Sequence, residues 1–163
     1  MNEEQPGRAE HIHIAEVEGG PLRALAAVDA IAGVGLAGDR YAKGEGFWPD
    51  EGESRALTLI EAEAIDDLLA DGIALQPGES RRNMTTRGIR LNDLVGKEFT
   101  IGDVRARGTE LCEPCTHLVA LTGKPLLKPL VHRGGLRADL LTSGRISVGD
   151  AIRVANPLPT APG

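Results

Sequence analysis

Aromatic residues are scarce in this sequence, where two Phe, one Tyr and one Trp make up 2% of 163 residues. Because large rings usually contribute much of the buried area of a core, their scarcity predicts a core built from Val, Ile, Leu and Ala. It also leaves no series of rings on which single-stranded nucleic acid could stack its bases. The formal net charge of −6 repels phosphate backbones as well. We therefore expect no nucleic-acid partner.

Long apolar runs are also missing from the sequence. No run approaches the roughly 20 residues that a membrane-spanning helix needs, so we expect no membrane insertion. The first residues, MNEEQPGRAEH, are acidic and lack the apolar stretch of a secretory signal peptide. These absences favour a cytoplasmic location, in which cysteine thiols usually stay reduced.

The sequence contains no internal repeat and no low-complexity linker. A chain of this length fits one domain with its own core. The polar start and the proline-rich end are typical of chain termini that do not join the core. We therefore predict a single domain over residues 11–155, with flexible tails at residues 1–10 and 156–163.

Alternating apolar and polar residues indicate several short strands. The segment HIHIAEV alternates from residue 11, and Leu136, Ala138 and Leu140 alternate with polar neighbours. Apolar residues on both sides of a Gly-Asp turn at 102–103 predict a hairpin. Many short strands with such turns favour a mostly β, barrel-like fold with a few short α-helices.

One segment, ALTLIEAEAIDDLLADG, carries a clear helical pattern. Thr58 followed by Glu61 fits a capping box at the helix start, and Gly72 supplies a stop signal. The apolar stripe of the expected helix consists of Ile60, Ala64, Ile65, Leu68 and Leu69.

Both cysteines of the chain lie in LCEPCTHL, residues 111–118. One hypothesis is a structural zinc site, whose ligands would be Cys112, Cys115, His117 and His132. A second is a dithiol redox pair, although such pairs usually open a helix in a βαβ unit. A third is a pair of buried cysteines that act as small apolar groups. A fourth is one working thiolate at Cys115, whose pKa the start of a helix at Pro114 would lower.

Residues 79–97 are basic although the chain as a whole is acidic. Arginine accounts for fourteen of the eighteen basic residues, and its planar fork suits phosphate-bearing or planar ligands. The segment could hold the anionic part of a cofactor, if it folds near the cysteines. A solvated basic loop would have the same composition.

Several motifs occur in an order that resembles the MOSC family, named for the C-terminal domain of molybdenum-cofactor sulfurase. They are GLAGDRY, RALTLIEAEAI, PGESRRNMTTRGIRLNDLVGKEFTIGD, LCEPCTHL and HRGGLRADLLTSGRISVGD. The resemblance covers about residues 11–155. It implies a β-rich, barrel-like fold with one cysteine at its functional centre.

The resemblance also implies a molybdenum cofactor (molybdopterin). Cys115 matches the family cysteine that ligates molybdenum and would be the catalytic residue. Arg82, Asn83, Thr86 and Arg87 match the family's Arg/Asn-rich stretch and would line the cofactor pocket. The standalone branch of the family includes reductases of N-hydroxylated small-molecule substrates, and this gives the leading hypothesis.

The chain departs from its larger relatives in several ways. It has only two cysteines, too few for an iron–sulfur cluster, so a reductase would need an electron-donor protein as partner. It has no pyridoxal-phosphate site of its own. The alternative function is a sulfur carrier, in which a cysteine desulfurase loads a persulfide onto Cys115. Cys112, extra relative to the reductases, could assist there. A third possibility is a binding domain with inert cysteines.

Overall fold

The computed structural model of the chain describes residues 6–16, 20–39, 57–76, 78–112, 122–126 and 128–155. The helices whose full extent lies in these residues are α1 (Ala62–Ala70) and a 3-10 helix (Leu91–Leu94). Its strands are β1 (Gly7–Ala15), β2 (Leu22–Leu25), β3 (Ala27–Ile31), β4 (Gly35–Leu36), β5 (Leu57–Glu61), β6 (Met84–Arg87), β7 (Glu98–Ile101), β8 (Val104–Leu111), β9 (Leu136–Leu140), β10 (Gly144–Ser147) and β11 (Ala151–Val154). The expectation of a mostly β fold is confirmed.

Seven strands close into a barrel in the order β11-β7-β8-β9-β5-β6-β1, and a pairing between β1 and β11 completes the ring. Neighbouring strands run antiparallel except β5 and β6, which pair in parallel. The second half of β1 also pairs with β2. Strands β10, β3 and β4 form a separate three-stranded sheet. Ring closure leaves few unpaired sheet edges, which would otherwise invite association with other chains.

The barrel interior is almost entirely aliphatic, as the scarcity of aromatic residues predicted. Phe99 is its one large ring among the described residues and is fully buried. The core also includes Ile12, Ile14, Leu57, Leu59, Met84, Ile101, Val104, Leu136, Leu140 and Ile152. The hairpin predicted around the Gly-Asp turn is confirmed, because β7 and β8 pair antiparallel across residues 102–103.

Strand β5 is buried on both of its faces. Leu57 and Leu59 point into the barrel core. Thr58 and Ile60 alternate with them and face outward, yet they are only 3% and 1% exposed. Other segments must therefore cover the outer surface of the barrel at β5.

Helix α1 differs from the sequence-based expectation at its start. Strand β5 continues to Glu61, which is the N-cap and makes no side-chain capping bond. The predicted capping box at Thr58 is therefore wrong, because the Thr58 hydroxyl bonds to Asn83 in β-sheet context. The helix ends near Gly72, whose φ of +86° fits the predicted stop signal.

The apolar face of α1 packs on the outside of the barrel. Ala64 and Leu68 form a second buried cluster with Leu75, Leu126 and Leu130. Leu69, which we had placed on the same stripe, is 61% exposed. No helix in the described part of the chain is long and apolar enough to cross a membrane.

The domain boundary needs one correction at the N-terminus. Strand β1 begins at Gly7, which pairs with Ile152 of β11. Residues 7–10 therefore belong to the barrel and not to a tail. The tail predicted at 156–163 and the short helix predicted after Pro114 lie outside the described residues.

Candidate functional site

Three segments meet around the side chain of Arg82, which lies just before β6. Its Nε donates to the backbone oxygen of Gly134 at 2.8 Å, and its Nη2 donates to the backbone oxygen of Cys112 at 3.2 Å. Its Nη1 lies 3.5 Å from the backbone oxygen of Ser80. We call this set of four residues the Arg82 clamp. It ties the loop before β6 to the end of β8 and to the loop before β9.

The positive charge of the clamp lies among backbone oxygens in the part of the chain that the structure describes. No carboxylate in the described part of the chain pairs with Arg82, and its contacts are all backbone carbonyl oxygens. Carbonyl oxygens orient the guanidinium but do not neutralise it. Among the described residues the clamp therefore presents a half-buried cation without a carboxylate partner, which attracts an anion.

A close approach between two backbones supports the clamp. The N–H of Cys112 donates to the oxygen of Gly135 at 2.7 Å. A Cβ on Gly135 would lie 1.9 Å from the backbone oxygen of Leu59 in β5. Glycine is therefore required for the loop before β9 to pass so close to the barrel wall.

Asn83 lies next to Arg82 and is fully buried. Its Oδ1 accepts hydrogen bonds from the backbone N–H of Thr58 at 3.1 Å and from the Thr58 hydroxyl at 3.2 Å. Its Nδ2 donates to the backbone oxygen of His13 at 3.2 Å. The amide thus links β1 to β5 and fixes the backbone next to Arg82. Asn83 therefore lies beside the clamp, as predicted for a pocket residue, but its side chain bonds to other groups of the protein.

Thr86 and Arg87 lie at the other end of β6. Thr86 is buried, with its hydroxyl 3.5 Å from the backbone oxygen of Ile60. Arg87 donates to Glu10 at 2.8 Å and to Asp66 at 2.9 Å. Strand geometry separates the two ends of β6 by roughly 10 Å. The structure therefore does not bring these two predicted pocket residues to the clamp.

The Glu10–Arg87 pair should contribute to stability in a pH-dependent way. The hydrogen bond from Arg87 lowers the pKa of Glu10 below its ordinary value of 4.5. This stabilisation is present above pH 4.5 and is lost as the pH falls through the lowered pKa. We expect Arg87→Gln to lower the free energy of unfolding by about 1 kcal/mol at pH 7. The difference from the native chain should shrink below pH 4.5 in urea titrations.

Arg8 provides the control for this prediction. It approaches the same carboxylate only to 3.7 Å and its side chain is 56% exposed. Arg8→Gln should change the free energy of unfolding by less than about 0.5 kcal/mol. Equal losses in the two variants would contradict the assignment of the stabilisation to Arg87.

Cys112 is buried at 5% exposure and is a free thiol. Cys115 and His117 lie outside the described residues, so the zinc and dithiol hypotheses keep the status of predictions. Within the described ranges no three His, Cys, Asp or Glu side chains are grouped to hold a metal ion.

One buried polar residue beside the site was not predicted from the sequence pattern. His13, on β1, is 4% exposed and its ring lies 6.1 Å from that of His11. The HIHI alternation placed both histidines on one face of a strand, but it did not show that the 78–82 loop would cover His13. That cover is a long-range contact between segments about 65 residues apart.

The model of the MOSC domain matches residues 38–153 of the chain. The chain belongs to the MOSC family. The match spans well over half of the sequence and contains all four residues of the Arg82 clamp. It confirms the resemblance drawn from the order of the sequence motifs.

Solved structures of other proteins share this MOSC fold. The YuaD protein from Bacillus subtilis is 17% identical with a TM-score of 0.75, and the alignment covers 94% of this chain and 98% of that one. YiiM from Geobacillus stearothermophilus is 18% identical with a TM-score of 0.68, over 93% and 76% of the two chains. YiiM from Escherichia coli is 15% identical with a TM-score of 0.65, over 94% and 72%. No curated protein matches significantly. At these identities the likeness establishes the fold alone.

Proposed function

We propose that this MOSC protein binds a molybdenum cofactor at the Arg82 clamp and reduces N-hydroxylated small molecules in the cytoplasm. The observation that carries the proposal is the guanidinium of Arg82, which bonds to the carbonyl of Cys112 and has no carboxylate partner among the described residues. The chain runs from that carbonyl directly into the segment that contains Cys115. An anionic cofactor and a thiolate metal ligand would thus meet at one place.

The residues of the site fit such a cofactor in charge and in donor type. Phosphate and pterin groups favour a positive environment with arginine donors. A thiolate is a soft, anionic metal ligand, and Cys115 would provide one to molybdenum, as the resemblance to the family implies. When bound, the cofactor would supply a metal centre that exchanges electrons and an oxygen atom with the substrate.

The protein residues would position and stabilise the reacting groups. Arg82 fixes the carbonyl at the start of the cysteine segment, and Asn83 fixes the backbone next to Arg82. Thr86 and Arg87 remain pocket residues only by the resemblance to the family. Reduction of an N–OH group to N–H takes two electrons and two protons and releases water. Since the chain holds two cysteines in all, we propose that a partner protein delivers the electrons.

Molybdenum content tests the proposal directly. The chain is expressed in a molybdenum-replete host, and the metal is measured per protein by elemental mass spectrometry. We expect bound molybdenum in the native chain, none in Cys115→Ser and an unchanged content in Cys112→Ser. Arg82→Gln should lower the content about tenfold, as the loss of one charge-assisted contact predicts. Arg90→Gln, which changes an 82% exposed side chain, serves as its control.

Two outcomes would overturn the proposal. One is native protein without molybdenum, and the other is Cys115→Ser with a full metal content. Protein mass spectrometry after incubation with a cysteine desulfurase then examines the sulfur-carrier alternative. The mass of one added sulfur atom on Cys115 would support a persulfide carrier.

A further inference from the structure

The His13 ring lies between the outer surface of β1 and the loop formed by residues 78–82. A Cβ on Gly78 would lie 2.8 Å from Cδ2 and 2.9 Å from Nε2 of the ring. Gly78 also has a φ of +88°. Only glycine therefore allows the loop to lie on the ring at this distance. Any change in the volume or hydration of the ring must displace the loop.

One polar atom of this ring has no partner in the described part of the chain. Nδ1 of His13 is buried and has no hydrogen-bond partner among the residues that the structure describes. A neutral imidazole can leave one nitrogen as a bare acceptor, whereas an imidazolium has two N–H donors. Protonation in place would bury a charge and an N–H without an acceptor, which is unfavourable. The closed loop is compatible with the neutral ring.

The loop over His13 leads directly to the Arg82 clamp. The N–H of Arg81 donates to the oxygen of Gly78 at 2.9 Å. The N–H of His13 donates to the backbone oxygen of Asn83 at 2.6 Å. In turn, Nδ2 of Asn83 donates to the backbone oxygen of His13. The ring and the guanidinium of Arg82 thus lie at opposite ends of one five-residue loop. Movement of the loop away from the ring must strain or break the clamp.

We propose that His13 is a positioning residue whose neutral ring holds the 78–82 loop closed, and that its protonation opens the Arg82 clamp. The inference goes beyond the proposed function and rests on the loop geometry alone. It assigns the site a dependence on pH that would act before any ligand is bound.

The sign of the effect follows from linkage. Burial lowers the pKa of His13 below its ordinary value of 6.5, and the nearby His11 lowers it further. When the loop is open, the His13 ring has its ordinary pKa. Closure of the loop is therefore favoured above pH 6.5 and weakens as the pH falls through the lowered pKa. The loss is at most about tenfold in the closing equilibrium per pH unit.

The other ionisable groups on β1, on β2 and in the 78–82 loop are Arg8, Glu10, His11, Arg23, Glu79, Arg81 and Arg82. The hydrogen bond from Arg87 holds the pKa of Glu10 below 4.5. Burial raises the pKa of Glu79, but hydrogen bonds from the Gln76 N–H and Lys124 outweigh it and leave the pKa below 4.5. Glu79 therefore titrates below the window of interest. The arginines keep their charge throughout. His11 is the neighbour that needs a control.

Labelling of the Cys112 thiol reports opening of the clamp. In the Cys115→Ser variant, Cys112 is the sole cysteine. Its side chain is 5% exposed when the clamp is closed. Its labelling rate is divided by that of the urea-unfolded chain at the same pH, which cancels the intrinsic reactivity of the thiol. We expect protection to fall between about pH 7.5 and 5.5, by up to about tenfold, because only the interval below pH 6.5 contributes. Adding His13→Gln should remove this dependence, and adding His11→Gln should preserve it.

Nuclear magnetic resonance provides a second readout that needs no substitution at His13. The ring proton of His13 should titrate below pH 6.5, and the amide signals of Gly78 and Arg82 should change with the same midpoint. The proposal is wrong if those amides do not respond, or if His13→Gln keeps the pH dependence of labelling. Neither measurement requires a cofactor, so failure of the molybdenum proposal would leave this test intact.

Discussion

Gly135→Ala should lower the free energy of unfolding by about 4 kcal/mol or more, which is much of the stability of a typical domain. Gly135 has a φ of +116°, which side chains rarely adopt. Its new Cβ would also lie 1.9 Å from the backbone oxygen of Leu59. Neither backbone can move freely, because Leu59 pairs with both β6 and β9. The melting temperature should fall by roughly 10 °C or more.

Gly149→Ala separates the cost of a positive φ from the cost of the close contact with Leu59. Gly149 also has a positive φ, of +95°, but a Cβ there would meet nothing within 4 Å. This variant should lose only about 1–2 kcal/mol, the cost of the backbone conformation alone. Equal losses at the two positions, measured by urea denaturation, would show that the approach to Leu59 does not matter.

Asn83→Ala should lower the free energy of unfolding by about 3–4 kcal/mol. The substitution leaves the Thr58 N–H and the His13 oxygen buried without the partner that Asn83 provides. Each unsatisfied group costs about 1–3 kcal/mol in a protein interior. The loosened junction between β1 and β5 should also release the clamp and increase labelling of Cys112.

Asn92→Ala is the matched control for Asn83→Ala. Its amide donates one exposed bond to the oxygen of His132 at 2.8 Å. Water can replace that bond, so we expect a loss below about 1 kcal/mol. If the two variants lose the same stability in urea denaturation, the interpretation of Asn83 as a buried junction is wrong.

The four predicted pocket residues do not all lie at the clamp. The RRNMTTR segment looks like one basic, polar unit in the sequence, and it gave four predicted pocket residues. In the structure β6 begins at Met84, so Arg82 precedes the strand and Arg87 ends it. One arginine contacts the segment that leads to Cys115, and the other pairs with Glu10 and Asp66. Strand boundaries and register, which separate them, depend on partner strands elsewhere in the chain.

The sequence by itself determined the family, the β-rich barrel, the aliphatic core and the β7–β8 hairpin. These features follow from residue periodicity, turn chemistry and motif order, which are properties of neighbouring residues. Only the tertiary structure decided that Thr58 bonds to Asn83 instead of capping a helix, that Arg82 bonds to the carbonyls of Cys112 and Gly134, and that Gly78 covers His13. Each of these contacts joins segments 25 or more residues apart. Closure of the barrel fixes which strands are neighbours, and it therefore fixes which distant side chains can meet.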